Sequence, residues 1–309
     1  MNEDLREQLI RLLGSGHVRE QEMMSRYTTF KVGGPADFLC LPVSEEQIVR
    51  LIGILKKAGE PYLIIGSGSN LLVRDGGIRG AVIRLGSDFA QITEEKEENG
   101  SVTLAAQAGA KLSAVGARAA DLSLGGFEFA CGIPGSVGGA VRMNAGAYGG
   151  EIRDVLKSAK ILMPDGRVLI CTADDLQLTY RHSVLDENGG IVLSAEFCLQ
   201  KGDEKQIRAR MQELADKRRE KQPLEYPSAG STFKRPEGYF AGKLIMDAGL
   251  KGFSIGGAQV SEKHAGFVIN TGGAKASDIE ELIRQVRQRV FEQSGVWLEP
   301  EVKIVGDPE

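Results

Sequence analysis

Residues 125–150 read GGFEFACGIPGSVGGAVRMNAGAYGG, and no ordinary strand or helix carries so much glycine. Glycine lets a backbone turn at φ > 0 and lets another group approach the main chain closely. Within the stretch, Gly132-Ile133-Pro134-Gly135-Ser136-Val137-Gly138-Gly139 leads into apolar Ala140 and Val141. Pro134 has no amide hydrogen to donate, yet it suits the first turn of a short helix. The neighbouring N–H groups would then open from a helix N-terminus, which favours an anion. Asn144-Ala145-Gly146 supplies a second close-approach segment. The stretch suits the pyrophosphate and isoalloxazine edge of a flavin. On composition alone it suits a tight structural turn equally well.

A chain of 309 residues points to two or three domains. Its 42% hydrophobic and 26% charged content fits a soluble globular protein. The net charge of -4 and the absence of a basic tract argue against nucleic acid as a partner. The opening MNEDLREQL has no apolar signal core, and no later run is long enough to span a bilayer. The expectation is a cytoplasmic protein that does not engage a membrane. Cys40, Cys131, Cys171 and Cys198 form no CxxC pair and read as reduced thiols. With only His17, His182 and His264 beside them, no metal site is expected.

Asp4–Leu13 reads as an amphipathic helix stopped by Gly14, and Ser44 caps another that runs through Ala58. The short strand Tyr62–Ile65 runs directly into Gly66-Ser67-Gly68-Ser69-Asn70-Leu71, a candidate phosphate-cradling turn. It is not a Rossmann fingerprint, because the position of the third glycine is Leu71. The alternative is a plain strand-to-strand turn. Strands are expected at 81–85, 92–94, 101–106 and 191–199, with a helix over 111–121. A hairpin is expected around Pro164-Asp165-Gly166. A charged helix over 202–221 ends before Pro223. Then come a short helix at 240–248, strands at 253–260 and 266–270, a helix capped by Ser277 and running to Gln293, and a strand at 297–305.

Three separated blocks then coincide: the Gly66 turn, the Gly132–Gly146 loop, and Ser228–Pro236 together with Leu298–Val302. Together they resemble the UDP-N-acetylenolpyruvoylglucosamine reductase (MurB) family over nearly the whole chain. Arg235 follows Phe233-Lys234 where many members have Asn. The segment between Cys171 and Ser194 has no room for the extra βαβ insertion of some members, so the chain resembles the shorter subtype, which lacks the tyrosine lid. The resemblance implies an α+β protein with a vanillyl-alcohol-oxidase/PCMH-type FAD-binding fold of two subdomains plus a smaller α+β substrate-binding domain. The expected ranges are 1–79, with 296–309 returning to the site, then 80–200, then 201–295 for the UDP-sugar.

The resemblance also implies a reaction. NADPH reduces non-covalently held FAD, hydride passes to C3 of the enolpyruvyl ether, and C2 is protonated to give UDP-N-acetylmuramate. Reduction beside a carboxylate builds negative charge as an enolate, so the site needs cations or acids near it and a proton donor at C2. Ser231 matches the donor, while Arg181 and Glu301 match the enolate stabilisers. A glutamate helps only if protonated or bridged, so a raised Glu301 pKa is expected. Alone, each reads more simply as a turn serine, a surface arginine and a solvated glutamate.

The cofactor residues implied are Tyr27, Gly66, Ser67, Gly68, Ser69, Asn70 and Leu71 on the first loop, with Gly132, Ile133, Pro134, Gly135, Ser136, Gly138, Gly139, Asn144, Ala145 and Gly146 on the second. Lys217, Arg218, Arg219, Lys243 and Lys275 are candidates for the UDP diphosphate. Cys131 reads as packing rather than a covalent flavin link. No second dinucleotide fingerprint exists, so NADPH and the UDP-sugar are expected to use one pocket in turn, on a monomer. Two other classes stay in view: another FAD oxidoreductase of this fold acting on a hydroxy acid or lactone, and a non-catalytic sugar-nucleotide binder.

Overall fold

The computed structural model describes residues 3–98 and 100–309. The chain builds two units, neither continuous in sequence. The first comprises Met1–Arg19, Leu39–Ser67 and Val82–Arg218, and the second Glu20–Phe38, Gly68–Ala81 and Arg219–Glu309.

The first unit is organised on a six-stranded sheet. Its main path runs Val168–Cys171, Leu156–Leu162, Ile191–Lys201, Ser101–Gln107, Ile92–Glu98, and Leu124–Gly125 pairs with the end of Ile191–Lys201. All these pairings are antiparallel. Ile191–Lys201 is central, and its alternation buries Leu193, Ala195, Phe197 and Leu199 on one face. Phe127 meets Phe197 edge-on at 5.0 Å between ring centroids. Helix Glu45–Ala58 follows its spacing: Ile48, Leu51, Ile52 and Leu55 are buried, Ser44 Oγ accepts from the Gln47 amide, and Gly59 at φ 69° closes it.

The second unit pairs a four-stranded antiparallel sheet with helix Ala276–Ser294. The strand order is Ser228–Ser231, Phe267–Asn270, Ala258–Val260, Ser254–Ile255. The helix contributes Ile279, Leu282, Ile283, Val286 and Val290 to a core that also takes in Phe30, Leu72, Leu298 and Val302. Leu71–Val73 pairs in parallel with Lys303–Val305.

Three local expectations change. Residues 253–260 form a two-stranded hairpin, with Ile255 opposite Ala258, because Gly256 turns at φ 52°. Residues 297–305 are strand only at Lys303–Val305. Ser277 does not cap its helix, which begins at Ala276; the Asp75 carboxylate accepts from the amides of Ala276 and Ser277, each at 2.9 Å.

Candidate functional site

In the first unit the glycine-rich loop packs tightly on its own chain. The Val137 amide donates to Ala110 O and the Gly138 amide to Ala108 O. Two N–H groups that the sequence offered to an anion are therefore used within the protein. A Cβ on residue 138 would lie 2.9 Å from the Ala108 Cβ, and one on residue 66 would lie 2.0 Å from Ser136 Oγ. These glycines allow chain-to-chain approach. Gly139 differs, since a Cβ there meets only Ser136 Oγ at 3.7 Å. Ser136 is 3% exposed, and its hydroxyl does not cap the helix it precedes. Gly66, Ser136, Gly138, Gly139, Arg142 and Ile191 are among the residues lining a cleft of about 80 Å³.

Gly132 and Pro134 are exposed, and Ile133 and Gly135 are half-buried. The side chain of Arg218 lies along Gly132. Burial lowers the Arg218 pKa, Tyr148 opposes that shift, and no carboxylate pairs with the guanidinium among the described residues. Burial pushes the Cys131 thiol up to about 11, so it is no thiolate at neutral pH. Its Sγ would sit 2.1 Å from a Cβ on residue 116, which marks a packing role.

Asn144 is fully buried at φ 44°. Its amide donates to Thr179 O at 3.1 Å and accepts from the Arg153 amide at 2.9 Å. Both ends of this side chain are engaged by protein, and the Ala145 amide donates to Ala140 O. Their contribution is to fix the Thr179–His182 turn. Arg181 stands in that turn at φ 55°, with Nη2 donating to Gly146 O at 3.3 Å. The turn is tight, bridged from Thr179 to His182.

The second unit holds the rest of the first loop. Gly68 turns at φ 63°, and a Cβ there would collide with Tyr27 O at 2.0 Å. The Thr29 amide donates to Gly68 O, while Thr29 Oγ1 is buried without a partner. The Tyr27 hydroxyl donates to Glu22 at 2.9 Å. Ser69 is half-buried, as is Ser67 at the end of its segment in the first unit. Leu71 enters the strand that pairs with Lys303. The Asn70 side-chain amide donates to Glu301 O at 3.1 Å.

Ser231 is exposed at the end of its strand, opposite Phe267, beyond an irregularity at which Gly230 takes φ 75°. Such a bulge re-aims the side chain that follows it. The Glu301 amide donates to the carbonyl of Thr232 at 2.8 Å, and Phe233 bridges Pro300. Ser231 and Glu301 thus sit on adjoining stretches of backbone. Each of three basic candidates has a carboxylate partner at the surface: Lys217 pairs with Glu213, Lys243 with Asp247 and Lys275 with Glu309. Arg219 is exposed. Sequence reasoning missed Thr29 and Thr232, since neither lies in a glycine motif or carries charge.

In the first unit, the Ser136 hydroxyl in its glycine-lined cleft and the Arg218 guanidinium without a carboxylate fit an anionic dinucleotide cofactor; in the second unit, the unpartnered Thr29 hydroxyl beside Gly68 is a donor of the same kind.

Comparison with known proteins agrees with this chemistry. A family model described as an FAD binding domain matches residues 36–172, and one described as the C-terminal domain of UDP-N-acetylenolpyruvoylglucosamine reductase matches residues 222–305. The UDP-N-acetylenolpyruvoylglucosamine reductase of Agathobacter rectalis is 56% identical over 93% of this chain and 94% of its own length. That of Lachnoclostridium phytofermentans is 50% identical over 99% of both. The crystal structure of the Thermus caldophilus reductase superposes with a TM-score of 0.77 at 38% identity, covering 93% of this chain and 99% of that one. A glucose dehydrogenase at 13% identity shares the fold, with a TM-score of 0.51 over 65% of this chain and 45% of its own.

Proposed function

The chain belongs to the UDP-N-acetylenolpyruvoylglucosamine reductase family, and from that membership we propose how its own residues carry the reaction. The protein is an FAD-dependent oxidoreductase that reduces UDP-N-acetylglucosamine-enolpyruvate to UDP-N-acetylmuramate with NADPH, in peptidoglycan precursor synthesis. Bound FAD supplies the two-electron redox chemistry. Ser231 donates the proton to C2 of the substrate, and Arg181 and Glu301 stabilise the charge that builds on its carboxylate. The observation that supports this assignment is the hydrogen bond from the Glu301 amide to Thr232 O, which sets the Glu301 main chain beside the residue following Ser231.

Gly66–Leu71 and Gly132–Gly146 are the cofactor loops in this reading, with Ser136 and Thr29 as hydroxyl donors. Asn144 and Ala145 serve as their scaffold. Arg218 goes to the cofactor loop rather than to the UDP diphosphate, because it lies on Gly132. Lys217, Arg219, Lys243 and Lys275 remain for the sugar nucleotide. Residues 1–79 and 80–200 form the cofactor part, residues 201–295 the sugar part, and residues 296–309 return to the site. The protein acts as a monomer in the cytoplasm.

An anaerobic titration tests the assignment of both half-reactions. NADPH should bleach the flavin spectrum, and the enolpyruvyl sugar should restore it. Initial rates should give parallel double-reciprocal lines, as one pocket used in turn requires. Intersecting lines would overturn the shared pocket. Reoxidation by oxygen at a rate comparable with that of the sugar would favour an oxidase.

A further inference from the structure

Asn70 lies in the first cofactor loop, yet its side-chain amide donates to the carbonyl of Glu301, 231 residues away in sequence, at 3.1 Å. Its own carbonyl accepts from the Lys303 amide at 3.0 Å. The two contacts set the register that continues as Leu71 opposite Lys303 in the parallel pair. The other side of the Glu301 residue is held too, since its amide donates to Thr232 O at 2.8 Å. Thr232 is itself fixed: its amide donates to Gly266 O at 2.8 Å, and its hydroxyl accepts from the Val268 amide at 3.0 Å. The main chain of Glu301 is therefore clamped between Asn70 and the residue after Ser231.

We infer that Asn70 is a positioning residue for Glu301, acting through the main chain and setting where the carboxylate stands relative to the Ser231 strand. The inference rests on the assignment of Glu301 above. The chemistry requires a short side chain with an N–H donor. Alanine would remove this donor from the Glu301 carbonyl, and aspartate, of the same shape, would set an oxygen against an oxygen. A displacement of about 1 Å at a reacting group costs on the order of 10²-fold in rate.

The test compares Asn70→Ala and Asn70→Asp with Glu301→Ala and the double variant Asn70→Ala/Glu301→Ala, each with its FAD content measured. In rapid mixing, both Asn70 variants should slow reoxidation by the enolpyruvyl sugar ~10–100-fold more than they slow reduction by NADPH. On the Glu301→Ala background, Asn70→Ala should add less than about 2-fold, because residues that act as a unit are non-additive. In protein stripped of cofactor, hydrogen exchange at the Glu301 amide should rise in both Asn70 variants. If Asn70→Asp behaves as wild type, the side chain is packing and the inference falls. It falls equally if Asn70→Ala loses FAD or slows both half-reactions alike, or if its effect persists undiminished without the Glu301 carboxylate. Should Glu301→Ala leave reoxidation at the wild-type rate, the assignment of Glu301 fails, and the inference with it.

Discussion

Arg218 lies along Gly132, its Cδ and one guanidinium nitrogen each 3.5 Å from where a Cβ on residue 132 would stand. The helix Glu204–Lys221 is charged almost throughout, but Ile207 and Leu214 are buried, and Arg218 follows one helical turn later on that stripe. A cation drawn out of water with no carboxylate beside it is costly unless an anion arrives.

Arg218→Met should therefore weaken FAD retention. A charge-assisted hydrogen bond contributes about 1.5–3 kcal/mol, which is on the order of 10–100-fold in affinity. Arg218→Lys should recover part of it, because the charge survives without the planar fork. Equilibrium dialysis of FAD against the two variants measures this. Full retention of FAD in Arg218→Met, with a raised KM for the UDP-sugar, would return Arg218 to the substrate diphosphate.

Two neighbouring glycines should separate folding from cofactor binding. Gly138→Val drives a branched side chain against Ala108, where even a Cβ stands 2.9 Å from its neighbour. Overpacking of this kind costs about 1–3 kcal/mol, so the melting temperature and the FAD content should fall together. Gly139→Ala meets only an ordinary contact with Ser136. It should leave the melting temperature of the apoprotein near wild type, and any loss of FAD then reports on the ligand alone.

Ser231→Ala should split the half-reactions. Reduction by NADPH needs no proton from that hydroxyl and should stay near the wild-type rate. Reoxidation by the enolpyruvyl sugar should slow by ~10²–10⁴-fold, the range for a lost general acid. Rapid mixing resolves the two, and equal slowing of both would mean that the hydroxyl positions the flavin.

Asp75 should give the second unit an acid-sensitive hold on its longest helix. Burial pushes the Asp75 carboxyl up, but hydrogen bonds from the Ala276 and Ser277 amides and the Ser277 hydroxyl outweigh it, leaving the pKa below the usual value. A depressed carboxyl stabilises fully above the unfolded pKa of about 3.9, and the contribution is lost as pH falls below it. Asp75→Ala should thus lower stability by about 1 kcal/mol at neutral pH, as for a lost N-cap. Urea midpoints for variant and wild type should converge as the pH drops toward 3.

Motifs local in sequence were legible. Helix Glu45–Ala58 declared its Ser44 cap and its end, and the hairpin at Pro164-Asp165-Gly166 declared its turn. The two glycine loops were visible as loops, but not what approached each glycine: Ala108, Ser136 and Tyr27 are distant in sequence. Asp75 took the role expected of Ser277 for the same reason, since a cap can be supplied by any carboxylate that tertiary structure brings near. The strand Val18–Met23, VREQEM, was missed because it carries little of the β-branched or aromatic character that marks strands. Asn144 entered the cofactor set through the close-approach segment and the family resemblance; that Thr179 and the Arg153 amide engage its side chain is visible only in the fold.

The parallel pairing of Leu71–Val73 with Lys303–Val305 also bears on how the protein is born. A ribosome releases the first of these strands long before it has made the second. Leu72, wholly buried in the finished molecule, must until then lie in solvent or under a chaperone. Loop closure over so many residues is slow, so the nascent chain passes through a stage with its first cofactor loop emerged but still lacking the strand that pairs with Leu71–Val73. Flavin capture is accordingly expected to be post-translational: a ribosome stalled with residues 1–290 exposed should hold no FAD, however much of it is supplied.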